Sequence, residues 1–145
     1  MTAQPALRIV RTIPNTPVKV RKGSVAVTFS EGCSGPDREV VVSIFSSVGR
    51  TNEIPERLQN SFAAMAGSGP AYIYQVLHLF FGQTRKTIFH RQVIEALADG
   101  GVMMGLPRDL AMEHAAAMVE GAAGMCLSQG KHPAHLKDEV RMYRK

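Results

Sequence analysis

The polar residues best placed for chemistry lie where a predicted strand ends. Asn15 and Thr16 stand between Pro14 and Pro17, directly after an apolar stretch. In open α/β sheets ligands bind at strand ends, so these side chains could face a ligand. An asparagine between prolines is also ordinary turn chemistry. The turn role is preferred here, and a ligand-facing role is kept as the second interpretation.

A second candidate is the start of a predicted helix at Ser68, Gly69 and Pro70. The N–H groups at a helix N-terminus attract anions. Serine as the cap, with proline in the first turn, is equally a common way to begin a helix. The cap needs no ligand, so it is the preferred interpretation.

The histidines and cysteines predict neither a metal site nor a nucleophile. His132 and His135 have H-x-x-H spacing, but Pro133 lies between them and the sequence offers no third ligand. We interpret His114, on an alanine-rich stretch, as packed or solvated, and Cys126 as a small core residue. No Ser-His-Asp or Cys-His arrangement is supported, so no catalytic residue is assigned.

The first third of the chain has strand patterns. Strands are predicted over 6–13, 23–29 and 50–54. A helix is predicted over 37–48, with one apolar face formed by Val40, Val41, Ile44, Phe45 and Val48, and Gly49 at its end. This β-β-α-β order has too few strands for a complete α/β domain, so residues 1–55 are interpreted as the tail of one.

From residue 56 onward the pattern is helical. Short helices are predicted over 58–65 and from Gly69, and a long helix over 108–128, closed by Gly130. A last helix begins at Pro133. Residues 56–145 are therefore predicted to be all-α.

The segment 76–92 interrupts one of these helices. If Gln75 is joined directly to Val93, an unbroken apolar stripe appears at helical spacing, through Ile73, Val93, Ile94, Leu97, Ala98, Gly101 and Val102. Seventeen extra helical residues would turn the face by roughly −100°. The segment is interpreted as foreign, from a retained intron or a genuine insertion. It is expected to be poorly packed or an out-of-phase extension, and its deletion to raise stability.

The positive charge belongs to two short segments. The chain has 17 Lys and Arg against 12 Asp and Glu, a net charge of +5. Residues 76–92 and 141–145 hold six of the basic residues and no acidic one, and without them 11 basic residues face 12 acidic ones. Nucleic acid is therefore not predicted as a partner.

Compartment signals are few. Apolar runs are far shorter than the ~20 residues of a membrane helix, so no membrane partner is predicted. The first ten residues lack a signal-peptide core, and the two cysteines form no C-x-x-C. A cytoplasmic protein is predicted, with the mitochondrion as the alternative.

Five motifs in order resemble the pyrroline-5-carboxylate reductases. They are RIVRTIPNTP (8–17), GSGPAY (67–72), EALADGGV (95–102), GLPR (105–108) and HPAHLKDEV (132–140). The resemblance implies NADPH- or NADH-dependent reduction of 1-pyrroline-5-carboxylate to L-proline. It implies the C-terminal strands of a Rossmann-like α/β domain, then an all-α dimerisation domain that forms a homo-oligomer. By content this fold is α+β.

The sequence also departs from the family pattern. It has no GxGxxG phosphate loop, which the family carries upstream of the Pro-Asn-Thr-Pro motif. After Val140 it lacks the Pro-Gly-Gly-Thr-type motif that holds the substrate carboxylate. We therefore expect an incomplete, inactive fragment. The alternative is a non-catalytic helical module that pairs with full-length reductase subunits.

Three site residues follow from the resemblance alone. Glu56 matches a glutamate at the imino-acid site, although a helix-start carboxylate is the plain alternative. Asn15 is assigned to cofactor binding. Glu139 matches a position that contacts the cofactor from the partner subunit, although a carboxylate near phosphates is unfavourable.

Overall fold

The protein is a three-stranded sheet followed by a set of helices. The structure, a computed structural model, describes residues 6–79 and 86–142, with side chains described for 6–77 and 91–140. The first part contains β1 (Val10–Ile13), β2 (Gly23–Phe29), α1 (Gly35–Ser46) and β3 (Gly49–Glu53). The second part contains α2 (Gln59–Phe62), α3 (Gly69–Leu79), α4 (Lys86–Met103), α5 (Arg108–Gln129) and α6 (Pro133–Met142). Within the described ranges no strand follows β3, so the predicted change to helical structure is confirmed.

The sheet has the order β1-β2-β3, with β2 in the middle. β1 is antiparallel to β2, and Val10 lies opposite Phe29. β3 is parallel to β2, and Gly23 lies opposite Gly49. β2 has the predicted bounds, and its first five residues are buried because α5 covers it on one side.

Three sequence predictions for this region were wrong in detail. β1 begins at Val10 rather than residue 6, and Leu7 and Ile9 before it are exposed. α1 begins at Gly35 rather than residue 37, because Ser34 and Asp37 form a reciprocal capping box that starts the helix earlier. Gly49 does not end α1 but is the first residue of β3.

The predicted apolar face of α1 is not a buried face. No residue of α1 is buried, and Val40 and Ile44 are each 58% exposed. The periodicity correctly predicted a helix, but it did not predict what would cover the helix.

The chain between β3 and α3 is not the single α-helix predicted over 58–65. A 3₁₀ turn (Glu56–Leu58) leads into α2, and a π-helical turn (Ala63–Gly67) joins α2 to α3. Ser68 has helical dihedral angles, φ −91° and ψ −17°, and its hydroxyl donates to the carbonyl of Ala63 at 3.4 Å. The prediction of an extended N-cap at Ser68 was therefore wrong, because the helical path continues through this residue.

Helix α5 forms the centre of the helical part. It begins at Arg108, as predicted, and ends at Gly130, whose φ of 59° closes the helix in the left-handed region. Gly121 lets this helix approach the 3₁₀ turn Thr16–Val20, because a Cβ there would lie 2.5 Å from the carbonyl oxygen of Lys22 and 2.6 Å from Cβ of Pro17.

The predicted single stripe around residues 76–92 is divided between two helices. α3 continues to Leu79 and α4 begins at Lys86. Ile94 and Ala98 pack in the core shared with the sheet, whereas Ile73 packs in a second core with Val93 at its edge. The expected loose packing of most of the segment lies outside the described residues.

Two apolar cores hold the chain together. The first joins the sheet to the helices and includes Ala26, Ile54, Leu58, Phe62, Met65, Ala98, Leu106 and Ala111. The second lies among α3, α5 and α6 and includes Ile73, Tyr74, Met118, Ala122, Met125 and Leu136. The described helices include none that is long and apolar enough to cross a bilayer.

Candidate functional site

The side chain of Asn15 is buried at the junction between the sheet and the helices. Its Nδ2 donates to the carbonyl oxygen of Ala66 at 3.1 Å. Its Oδ1 accepts from the backbone N–H of Ser24 at 2.9 Å. One amide thus ties the Pro-Asn-Thr-Pro turn both to the start of β2 and to the π-helical turn before α3.

A second set of polar contacts begins at Ser24. Ser24 Oγ lies 2.5 Å from Nδ1 of His114 on α5. His114 Nε2 lies 2.9 Å from Oδ1 of Asn52 on β3. We call Asn15, Ser24, Asn52 and His114 the junction network, because it links both parallel strands, the turn and α5.

The imidazole of His114 has an apolar setting. The residue is fully buried, and the ring of Phe62 meets it edge-on with centroids 4.7 Å apart. Burial lowers the pKa of His114 to about 4, because the charged form would lose its hydration. The ring is therefore neutral at pH 7. The interpretation of His114 as mere packing or a solvated residue was wrong, since both ring nitrogens have polar neighbours.

Two buried hydroxyls lie close to the junction network along the chain. Thr16 Oγ1 and Tyr74 Oη are buried without a hydrogen-bond partner in the described part of the chain. Burial raises the pKa of Tyr74 to about 12, so this phenol stays protonated at any physiological pH.

Glu139 on α6 faces the 3₁₀ turn that follows Asn15. Its Oε1 accepts from Lys131 Nζ at 2.5 Å and its Oε2 from Lys19 Nζ at 3.3 Å. The hydrogen bond from Lys131 holds the pKa of this carboxyl below its usual value, and Lys19 adds to the effect. The two ammonium groups keep the carboxylate ionised.

Glu56 lies at the other end of the sheet. Its carboxylate accepts from Nη1 of Arg11, whose Nη2 donates to Asn60 at 3.2 Å, and its side chain is 60% exposed. Arg11 pairs with Thr28 near the end of β2, whereas Asn15 contacts Ser24 near its start. The two regions are separated by about four strand residues, or ~13 Å. One copy of the chain therefore brings Asn15 and Glu139 to the same turn but leaves Glu56 apart.

The described side chains do not form a metal centre. No group of three or more His, Cys, Asp or Glu side chains converges within the described ranges. His132 has a structural contact, because its Nδ1 accepts from the N–H of Ala134 in the first turn of α6 at 3.3 Å.

The sequence analysis missed Ser24, Asn52 and His114. A signal was present at Ser24, a hydroxyl beside the apolar run Val25–Val27 of β2. A buried polar side chain in such a run needs a hydrogen-bond partner. Nothing in the sequence identified that partner as a histidine 90 residues away.

Comparison with known proteins gives the family context. A family model described as pyrroline-5-carboxylate reductase dimerisation matches residues 87–143. The chain is 37% identical to pyrroline-5-carboxylate reductase from Pisum sativum over 133 residues, which are 92% of this chain and 42% of that protein. It is 37% identical to pyrroline-5-carboxylate reductase 2 from Homo sapiens over 97% of this chain and 38% of that protein.

The chain is homologous to the pyrroline-5-carboxylate reductases. The resemblance found in the five motifs is thereby confirmed, and so is the expected fold of Rossmann-like C-terminal strands followed by helices. The chain spans about two fifths of the length of these two reductases.

Solved reductase structures also align with this chain. The enzyme from Streptococcus pyogenes is 29% identical, with a TM-score of 0.48 over 92% of this chain and 45% of that one. The Plasmodium falciparum structure, which has NADP bound, is 29% identical with a TM-score of 0.46 over 92% and 47% of the two chains.

Proposed function

We propose that this chain is part of a pyrroline-5-carboxylate reductase, which reduces the C=N bond of 1-pyrroline-5-carboxylate to L-proline with NADPH or NADH. The observation that carries the proposal is 37% identity over 92% of the chain to a reductase of that name. The proposed role is a step of proline biosynthesis in the cytoplasm.

The contribution of these residues to the reaction is positioning. The pyridine nucleotide supplies the hydride when it is bound. Orientation of two reactants can supply ~7–11 kcal/mol of a barrier. The Asn15 turn, held against the helices by two hydrogen bonds, is a rigid edge suited to this task.

The described residues do not fit a dinucleotide by themselves. The 145 residues contain no GxGxxG loop to receive a pyrophosphate. Both ends of the Asn15 amide are already engaged, and Glu139 is an anion. In this proposal the phosphate-binding part belongs to a longer reductase, consistent with the greater length of the relatives.

The proposed site residues keep their predicted roles. Glu56 contacts the imino acid, and Arg11, its partner, offers a cation for the substrate carboxylate. Asn15 and Glu139 lie on the cofactor side, with Glu139 acting across a homo-oligomer interface. Residues 56–145 form the oligomerising domain and residues 1–55 the remnant of the dinucleotide domain.

A chimera tests the proposed activity. Residues 6–142 of this chain replace the matched segment of the Pisum sativum reductase, and oxidation of NADPH is followed with and without 1-pyrroline-5-carboxylate. We expect substrate-dependent oxidation by the chimera and none by the 145-residue chain. A folded chimera without turnover would contradict the proposal, and turnover by the isolated chain would contradict the expected need for a phosphate loop.

Two variants of the chimera sharpen the test. Removal of residues 76–92 should increase activity if that segment is foreign to the helix. Glu56→Gln should raise KM for the imino acid more than KM for NADPH, with Glu53→Gln as the matched control. Equal effects on both substrates would remove Glu56 from the proposed site.

A non-catalytic module is the second candidate function. It is favoured by the family model, which is described as a dimerisation region and matches residues 87–143. Co-expression of this chain with a full-length reductase should then yield a stable mixed complex without added turnover. Separate elution of the two proteins would argue against it.

A further inference from the structure

The junction network has a role that the proposed reaction does not use. His114 belongs to α5, yet its two ring nitrogens face Ser24 of β2 and Asn52 of β3. The imidazole thus connects the central helix of the helical part with both parallel strands.

The partners of the ring define where its proton sits. Asn52 Oδ1 is an acceptor, so Nε2 carries the proton and donates to it at 2.9 Å. Nδ1 of the neutral ring then has a free lone pair, and the hydroxyl of Ser24 donates to it at 2.5 Å. Every polar atom of the neutral ring is satisfied in this tautomer.

Ser24 is held from two directions at once. Its hydroxyl contacts His114, while its backbone N–H donates to Asn15 Oδ1 at 2.9 Å. Asn15 in turn donates to the carbonyl of Ala66. A continuous path of hydrogen bonds therefore runs from α5 through β2 to the turn and the segment before α3.

We propose that His114 is a positioning residue, whose neutral Nε2–H tautomer fixes the Asn15 turn against the helical part through the hydroxyl of Ser24. The inference rests on contacts inside the chain and is independent of the proposed reaction.

Protonation of the ring would break this arrangement. A proton on Nδ1 would require the Ser24 hydroxyl to reverse its direction, and the charge would be buried beside Phe62. The charged groups that act on the ring are Glu113 on α5 and Arg50 on β3, which pair with each other at 3.0 Å and largely offset one another. No carboxylate in the described ranges is hydrogen-bonded to the ring.

Nuclear magnetic resonance of the full chain at pH 7 tests the tautomer. Long-range proton–nitrogen correlations should show His114 protonated at Nε2 and unprotonated at Nδ1. A proton on Nδ1 in the folded chain would overturn the proposal, because Ser24 would then accept rather than donate.

Hydrogen exchange at Nδ2 of Asn15 tests the path. Ser24→Ala removes the hydroxyl but keeps the backbone N–H that bonds Asn15, and His114→Leu removes the ring nitrogens. Both should speed exchange at Asn15 on the order of tenfold, which corresponds to loss of about one hydrogen bond. Ser30→Ala, which removes a hydroxyl beyond the far end of β2, is the matched control and should change the rate less than about twofold.

The outcomes separate positioning from space filling. Unchanged exchange at Asn15 in a folded Ser24→Ala chain overturns the proposal. Equal acceleration in Ser30→Ala also overturns it, because the effect would then be a general loosening of β2. If His114→Leu does not fold, the much smaller truncation in Ser24→Ala decides the question alone.

Discussion

Helices α1 and α5 both pack against the sheet, but they are stabilised in different ways. α1 buries none of its residues and begins with a reciprocal capping box between Ser34 and Asp37. α5 has no side-chain cap at its start, and it buries Ala111, His114, Ala115, Ala117, Met118, Gly121, Ala122 and Met125. The helix with little burial depends on its end, whereas the buried helix depends on its middle. Substitutions should therefore have opposite patterns of effect in the two regions.

The largest expected effect comes from the core beside α5. Phe62→Ala should lower the free energy of unfolding by about 3–5 kcal/mol, because a fully buried ring leaves a cavity. Val40→Ala, on the exposed side of α1, should lower it by less than about 0.5 kcal/mol. Urea unfolding measures both. Similar losses at the two sites would show that α1 is more buried than its contacts indicate.

The second effect is a dependence of stability on pH. The pKa of His114 is about 4 in the folded chain and about 6.5 in the unfolded chain, so the unfolded state takes up the proton first as pH falls. The stabilisation is complete above pH 6.5 and is lost between pH 6.5 and 4, by roughly 3 kcal/mol in all. His114→Leu should remove this part of the pH profile, and His135→Leu should keep it. An identical profile for wild type and His114→Leu would contradict the assignment.

A smaller effect is expected at the start of α1. Ser34→Ala removes a hydroxyl that accepts from the N–H of Asp37, and it should cost about 1 kcal/mol. Ser43→Ala, an exposed position inside the same helix, should cost nothing, because alanine has the better helix propensity. Equal losses at Ser34 and Ser43 would mean that the cap does not stabilise α1.

The smallest effect is expected at the ion pair between Lys22 and Glu120. Both side chains are about half exposed, so their contact at 2.5 Å should contribute less than about 1 kcal/mol. A double-mutant cycle of Lys22→Ala and Glu120→Ala measures the pair directly, and high salt should reduce the value. A coupling energy of several kcal/mol would show that this pair, rather than burial, holds α5 to the turn.

Local sequence rules predicted those elements whose signals are local. β2 and the start of α5 were predicted to the residue, and Gly130 was predicted as the end of α5. These depend on alternation along a strand and on proline and glycine at helix ends. The family could also be recognised, because five short motifs occur in order.

Contacts between distant residues could not be predicted in this way. The sequence did not show that His114 meets Ser24, or that Asn15 bonds Ala66, because both pairs depend on how α5 and the π-helical turn pack on the sheet. The helical periodicity of residues 73–102 was also read as one stripe, although α3 and α4 are separate helices. Periodicity reports a face, but it does not report which neighbour covers that face.

The π-helical turn Ala63–Gly67 makes the helical part sensitive to single-residue changes in length. The N–H of Ser68 bonds the carbonyl of Ala63, five residues back, so the path contains more residues per turn than an α-helix needs. Loss of one residue here would rotate α3 relative to α2 by about 100°. Ile73 and Tyr74 would then turn away from Met118 and Leu136, their neighbours in the second core. In evolutionary terms, this turn should tolerate changes of residue type far better than insertion or deletion.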